Sequence, residues 1–180
     1  MAEPDGSPVE AVEHVLGDRD APVTVLEYGD YECPYCAGAA PVLRQLVDES
    51  EGRVKLVFRN FPLFEVHPHA LTAALAAEST TASGVFWAMH KLLFVSQVRL
   101  SDADLRRYAE QVGADPQIAA GEAAQQFAPK VQADYAEGVA VGVRATPTLF
   151  VNGQAYQGRV ELEALQRETG SSRVRGRRPR

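Results

Sequence analysis

The stretch Val23-Thr-Val-Leu-Glu-Tyr-Gly-Asp-Tyr-Glu-Cys-Pro-Tyr-Cys36 decides the fold. Its first part, Val23 to Tyr28, is β-branched and apolar on both faces, as expected of a central buried strand. Gly29 to Glu32 read as a loop. Pro34 suits a first helical turn, where a missing N–H is no loss. The helix continues through Val42, Leu43, Leu46 and Val47 at helical spacing and stops near Gly52, and Val54-Lys-Leu-Val-Phe58 forms a second strand. A strand, a helix and a strand joined by short connections favour a parallel pair. Cys33 and Cys36, the only two cysteines of the chain, lie at the junction between the first strand and the helix.

Working outward, His14-Val-Leu16 is a candidate short strand, and residues 1–10, with two Pro, a Gly and three acids, carry no folding pattern. Beyond the second strand the chain turns helical. His69 to Glu78 is rich in Ala and Leu, and Phe86, Met89, His90, Leu93 and Phe94 recur at three and four residues. Ser101 with Asp104 reads as a capping box ahead of Leu105, Tyr108, Ala109 and Val112, with Gly113 as the stop. Asp115-Pro116 looks like the cap of another helix. Pro129 breaks or restarts a helix that Gly142 ends. The period then returns to two: Thr148-Leu-Phe-Val151, Asn152-Gly153 and Gln154-Ala-Tyr156 make an Asn-Gly hairpin. Glu161 to Arg167 is a last helix. This α/β order places a core over 12–64 and 130–168, a helical insertion over 65–129, and tails over 1–11 and 169–180.

The 180 residues suit one domain with an insertion, and 46% apolar against 23% charged residues is ordinary for a soluble chain. No apolar run approaches the roughly 20 residues of a membrane span, so no membrane insertion is expected. The N-terminus has neither the basic start nor the apolar run of a secretory signal, which predicts a cytoplasmic chain. The net charge of −6 conceals five Arg among the last ten residues; before them, 13 bases stand against 24 acids, a net −11. So acidic a body is a poor phosphate binder, and nucleic acid is not an expected partner. The basic end reads as a solvated tail, with RNA, anionic lipid or an acidic protein as the alternative contact.

The C-x-x-C spacing admits three readings. A structural disulfide across so small a loop removes little unfolded-chain entropy and adds little stability. Half of a zinc site needs two more ligands, and only His14, His67, His69 and His90 could add imidazoles. A reversible redox pair accounts best for a motif that follows a strand and opens a helix. No metal and no cofactor are implied.

At Cys33-Pro-Tyr-Cys36 the chain resembles the DsbA-like branch of the thioredoxin superfamily, in which a helical domain interrupts the thioredoxin core. The resemblance covers roughly residues 12–167. It is carried by Tyr28 to Cys36, Phe58-Arg-Asn-Phe-Pro-Leu63 with His67-Pro-His-Ala70, Phe86-Trp-Ala-Met-His90, and Gly142 to Gly153 with its Thr-Pro-Thr. It implies a thioredoxin fold with an inserted helical domain and a thiol–disulfide oxidoreductase acting on cysteine-containing proteins or peptides, with glutathione or another small thiol as a candidate donor. Two other readings stand beside it. One is a glutathione-linked transferase or isomerase of the same fold, whose members typically carry Ser at the position of Cys33. The other is a non-enzymatic peptide-binding module.

Exchange needs an accessible thiolate of lowered pKa. Cys33, just before the helix, faces unpaired N–H groups and the positive end of the dipole, so it is expected to attack. Cys36, one turn on and more buried, is expected to resolve the mixed disulfide. Pro34 and Tyr35 set the poise. Uncharged Tyr35, and Glu32 directly before Cys33, predict a protein less oxidising than DsbA at about −120 mV, in the range of roughly −180 to −230 mV. Glu27 is the one acid in an apolar strand, and the resemblance implies that it relays a proton for Cys36; Arg59 is a weak substitute for the lysine that DsbA keeps near this acid. The resemblance also implies that Thr146-Pro147 is a cis-proline loop whose backbone pairs with an extended substrate, by the logic of β-augmentation. His67 and His69 read as capping or surface residues, and His90 as a satisfied core histidine.

Overall fold

The computed structural model describes residues 14–171. The segments read as tails, 1–11 and most of 169–180, lie outside the described residues. Among the described residues five strands form one sheet in the order β1-β3-β2-β4-β5, with β1 His14–Leu16, β2 Val23–Gly29, β3 Val54–Asn60, β4 Thr148–Val151 and β5 Gln154–Ala155. β2 and β3 are parallel, and every other pairing is antiparallel. The turn between β4 and β5 puts Asn152 and Gly153 at φ 47° and 80°, the left-handed conformations that an Asn-Gly turn supplies at least strain.

Helix α1, Pro34–Glu49, joins the parallel strands. Between β3 and β4 run α2 Ala70–Ser79, α3 Phe86–Val95, α4 Asp102–Val112 and α5 Ala128–Ala140; α6 Leu162–Glu168 follows the hairpin. The fold is α/β, a thioredoxin core interrupted by helices. The helix expected after Asp115-Pro116 is a single 3-10 turn, Pro116–Ile118, followed by a second one, Glu122–Phe127. Thr169 to Ser171, assigned above to the tail, close α6: the Thr169 hydroxyl donates to the Leu165 carbonyl and the Ser171 N–H to that of Gln166.

The alternation of β2 sorts the core. Val25 packs with Ala39, Leu43, Leu46 and Leu165 of α1 and α6. On the opposite face Leu26 and Tyr28 pack with Phe61, Tyr135 and Phe150 beside α5. The alanines of α2 and Phe86, Met89, Leu93, Phe94 and Leu105 of the helical block form a further core together with Phe58 of β3. Cys33 and Cys36 are part of that same cluster, so the C-x-x-C pair lies where insertion and sheet meet.

Candidate active site

β2 delivers the site. At its end a Cβ on Gly29 would stand 2.5 Å from the buried Phe58 ring, so the strand has no room there for a side chain. In the turn that follows, the Cys33 N–H donates to the Asp30 carbonyl at 3.1 Å, and the Asp30 carboxylate accepts the Glu32 N–H at 2.7 Å. Cys33 is the N-cap of α1 with extended φ −75° and ψ 121°, and Pro34 begins the helix. From the loop after α3, the Gln97 side chain donates to the carbonyls of both Tyr31 and Cys33 at 2.8 Å. Nothing in the local pattern around Gln97 signals this clamp, because its partners lie more than 60 residues away.

Thr146-Pro147, a cis peptide bond, meets the pair from the other side, where the Cys33 thiol donates to the Thr146 carbonyl at 3.4 Å. Cys33 is 3% exposed, Cys36 is fully covered, and Tyr35 is 77% exposed. The accessibility expected of Cys33 is therefore slight in this arrangement. The Cys33 thiol is nevertheless acidic. A hydrogen bond from the Cys36 thiol lowers its pKa to about 5 against the opposing effect of burial, helped by the Thr146 side chain and the N–H groups of Cys36 and Tyr35. The Cys36 thiol is pushed far up by its bond to Cys33, by burial and by the charge of Glu27. The two neighbouring thiols thus differ in acidity, Cys33 lowered and Cys36 raised.

Glu27 is fully buried on the α1 face of β2, between Phe58 and Leu149 in register. Burial and then the charge of Cys33 raise its pKa to about 8. Two expectations about its surroundings are corrected. Arg59 pairs across with Tyr28, so it lies on the opposite face of the sheet, at 3.8 Å from Asp134 and 3.5 Å from Glu137, and does not serve Glu27. Glu32 does not turn its carboxylate freely on Cys33, because that group accepts the His69 N–H at 2.6 Å and contacts His69 Nδ1 at 3.2 Å. Each histidine is engaged outside the cysteine pair: His14 with Glu78, His67 with Asp30, His69 with Glu32 and His90 with Tyr31. Burial holds His90 neutral, with its pKa lowered to about 3.

A family model described as Thioredoxin matches residues 10–168. The chain belongs to the thioredoxin family. Its solved neighbours include BdbD of Bacillus subtilis, 27% identical, covering 88% of this chain and 91% of that one with a TM-score of 0.77. A thioredoxin-like oxidoreductase of Silicibacter pomeroyi is 30% identical over 88% and 90% of the two chains, with a TM-score of 0.74. The thiol–disulfide exchange protein alpha-DsbA2 of Wolbachia pipientis at 19% identity and MdbA, a thiol–disulfide oxidoreductase of Corynebacterium diphtheriae, at 22% share this DsbA-like fold. Among curated sequences, a Na(+)/H(+) antiporter NhaA 3 of Salinispora tropica is 44% identical over 85% of this chain. That match takes in 24% of the antiporter, so this thioredoxin-family chain spans about a quarter of the length of such relatives. Among the described residues no helix is long and apolar enough to cross a membrane.

Proposed function

We propose that the protein exchanges disulfides with cysteine-containing proteins or peptides through Cys33 and Cys36. The observation that carries this reading is the placement of the pair: Cys33 caps α1 with its thiol 3.4 Å from the Thr146 carbonyl of the cis Thr146-Pro147 loop, and Cys36 lies one turn on and fully covered, an arrangement that lowers the pKa of one thiol and raises that of the other. The Cys33 thiolate attacks one sulfur of a substrate disulfide, forming a mixed disulfide and releasing the other sulfur as a thiolate. Cys36 then gives up its proton and attacks Cys33 Sγ. The substrate leaves as a dithiol and the pair is left oxidised; the reverse sequence oxidises a substrate dithiol. The Glu27 carboxyl has its pKa raised to about 8, so near neutral pH an ionised fraction is on hand to take the Cys36 proton and the protonated form to return it, which supports a relay role. Cys33, Pro34 and Tyr35, with Thr146 and Pro147, form the surface that a substrate backbone meets.

The uncharged dipeptide and a Cys33 pKa near 5 support a potential below that of DsbA, whose nucleophile titrates at about 3.5. We expect roughly −180 to −230 mV, read by equilibration with glutathione. Exchange itself is tested by trapping. Cys36→Ser should accumulate a mixed disulfide with a reporter protein, whereas Cys33→Ser should form none. A double serine variant with undiminished activity would instead favour a binding module.

A further inference from the structure

The dipeptide between the cysteines carries no cation, yet a histidine from another loop is tied to the turn that presents Cys33. Asp30, only 1% exposed, is the tie. Its backbone carbonyl accepts the Cys33 N–H. Its carboxylate accepts the Glu32 N–H at 2.7 Å and the Leu63 N–H at 2.8 Å, and lies 2.8 Å from His67 Nδ1. The loop between β3 and α2 is thereby fastened to the nucleophile's own turn. The His67 side chain keeps 22% of its surface in solvent, so it can exchange protons freely.

We propose that His67 is a positioning residue for the Cys33 thiolate, neutralising Asp30 when protonated and leaving that carboxylate, in the nucleophile's own turn, without a cation when not. The proposal rests on the disulfide-exchange reading above and deepens it. Its consequence is a pH dependence of exchange separate from the titration of Cys33.

The charges around His67 favour its cationic form. Burial alone would draw its pKa down, but the hydrogen bond and charge of Asp30, then the charges of Cys33 and Glu32, outweigh burial and raise it. His69, at the start of α2, is paired with Glu32, and Glu65 belongs to His67's own loop. Coupling is reciprocal: if the thiolate favours imidazolium, imidazolium favours the thiolate by the same factor. As pH rises through the His67 titration, Cys33 should lose part of this support and the reduced form part of its advantage.

The decisive measurement uses the unaltered protein. The His67 ring is titrated by NMR in the reduced and the disulfide forms, of which only the first carries the Cys33 charge. A midpoint higher in the reduced form is expected; identical midpoints would overturn the proposal. Thiolate absorbance then reads Cys33 in variants. His67→Gln should weaken its acidity by up to about tenfold, no more than the lower end of the range for loss of an opposite charge in direct contact, because Asp30 stands between. His67→Lys should restore the acidity and abolish the second inflection, which a purely structural role for His67 would not do. Mixed-disulfide trapping with Cys36→Ser separates the two readings. If trapping succeeds while the His67 variants leave the pH profile unchanged, this inference alone fails. If trapping fails, the exchange reading fails even where the NMR midpoints differ.

Discussion

Glu27 takes a carboxyl group to a place where, among the described residues, neither oxygen has a hydrogen-bond partner. Such a group destabilises the fold once it must ionise. Its pKa is about 8 in the protein against 4.5 for the ordinary carboxyl. A raised folded value means that stability is fully present below about pH 4.5 and falls as pH rises toward 8. At pH 7 the penalty is roughly 3 kcal/mol, an upper figure. Glu27→Gln should therefore stabilise the reduced protein at neutral pH by up to that amount and flatten its stability between pH 5 and 8, as read by denaturant unfolding across pH. It should also slow resolution of the mixed disulfide and remove its pH dependence in that range. Stability curves that coincide for variant and wild type would show that Glu27 finds compensation. Cys33 has the opposite sign. Its pKa is lowered from 9.0 to about 5, so the thiolate's contribution to the reduced state is present above pH 9 and is lost as pH falls through 5. Exchange rates with a small disulfide should drop steeply below that point.

At the scale of elements, much was legible in the sequence because the signals are local. The apolar run of β2, the Ser101 cap whose hydroxyl accepts the Asp104 N–H, the Gly113 stop at φ 87° and the Asn-Gly hairpin each depend on a few adjacent residues. The site was legible in part for the same reason: Cys33 and Cys36 share one helical turn, and Glu27 stands out in its strand. What was missed depends on distant pairs. Gln97 and Asp30 act through partners on other elements, and the face of the sheet on which Arg59 lies follows only from its register with Tyr28. Gly138 belongs to the same group. Inside a helix, glycine is ordinarily worse than alanine by about 1 kcal/mol. Here a Cβ would stand 2.7 Å and 2.8 Å from two atoms of the Phe61 ring and 3.0 Å from Tyr28. Both rings are buried and cannot swing away, and Phe61 is itself stacked on Tyr135 at 4.5 Å. Gly138→Ala should therefore lower stability by about 1–3 kcal/mol, the usual range for overpacking, and a gain in the urea midpoint would contradict this close approach of α5 to the sheet.

At the scale of the whole molecule, insertion and sheet must hold together, because the cysteines belong to their shared core. Apolar packing is joined by a buried polar chain that crosses four elements. His14 of β1 contacts Glu78 of α2 at 2.9 Å, and the Asn60 side chain of β3 donates to Glu78 at 2.6 Å and to Asp134 of α5 at 3.1 Å. The Asn60 N–H also donates to Asp134 at 3.0 Å, and Lys130 and Arg59 supply the balancing charge. Asp134 is 2% exposed, so its carboxylate is the acceptor around which Asn60 and the two cations are organised. Removing one partner of a buried charged group leaves the others desolvated and unpaired, at a cost of about 3–5 kcal/mol. Lys130 differs, since 17% of its side chain is in solvent and water can replace its contacts. Asp134→Ala should thus destabilise the reduced protein several-fold more than Lys130→Met. Urea unfolding followed by both far-ultraviolet circular dichroism and the fluorescence of Trp87, the single tryptophan and a residue of α3, would read the effect on sheet and insertion together. If the network couples the two layers, both signals shift to lower urea in step for Asp134→Ala. Equal, small losses in the two variants would mean that apolar packing alone holds the insertion onto the sheet and that the cysteine pair does not depend on this chain for its place.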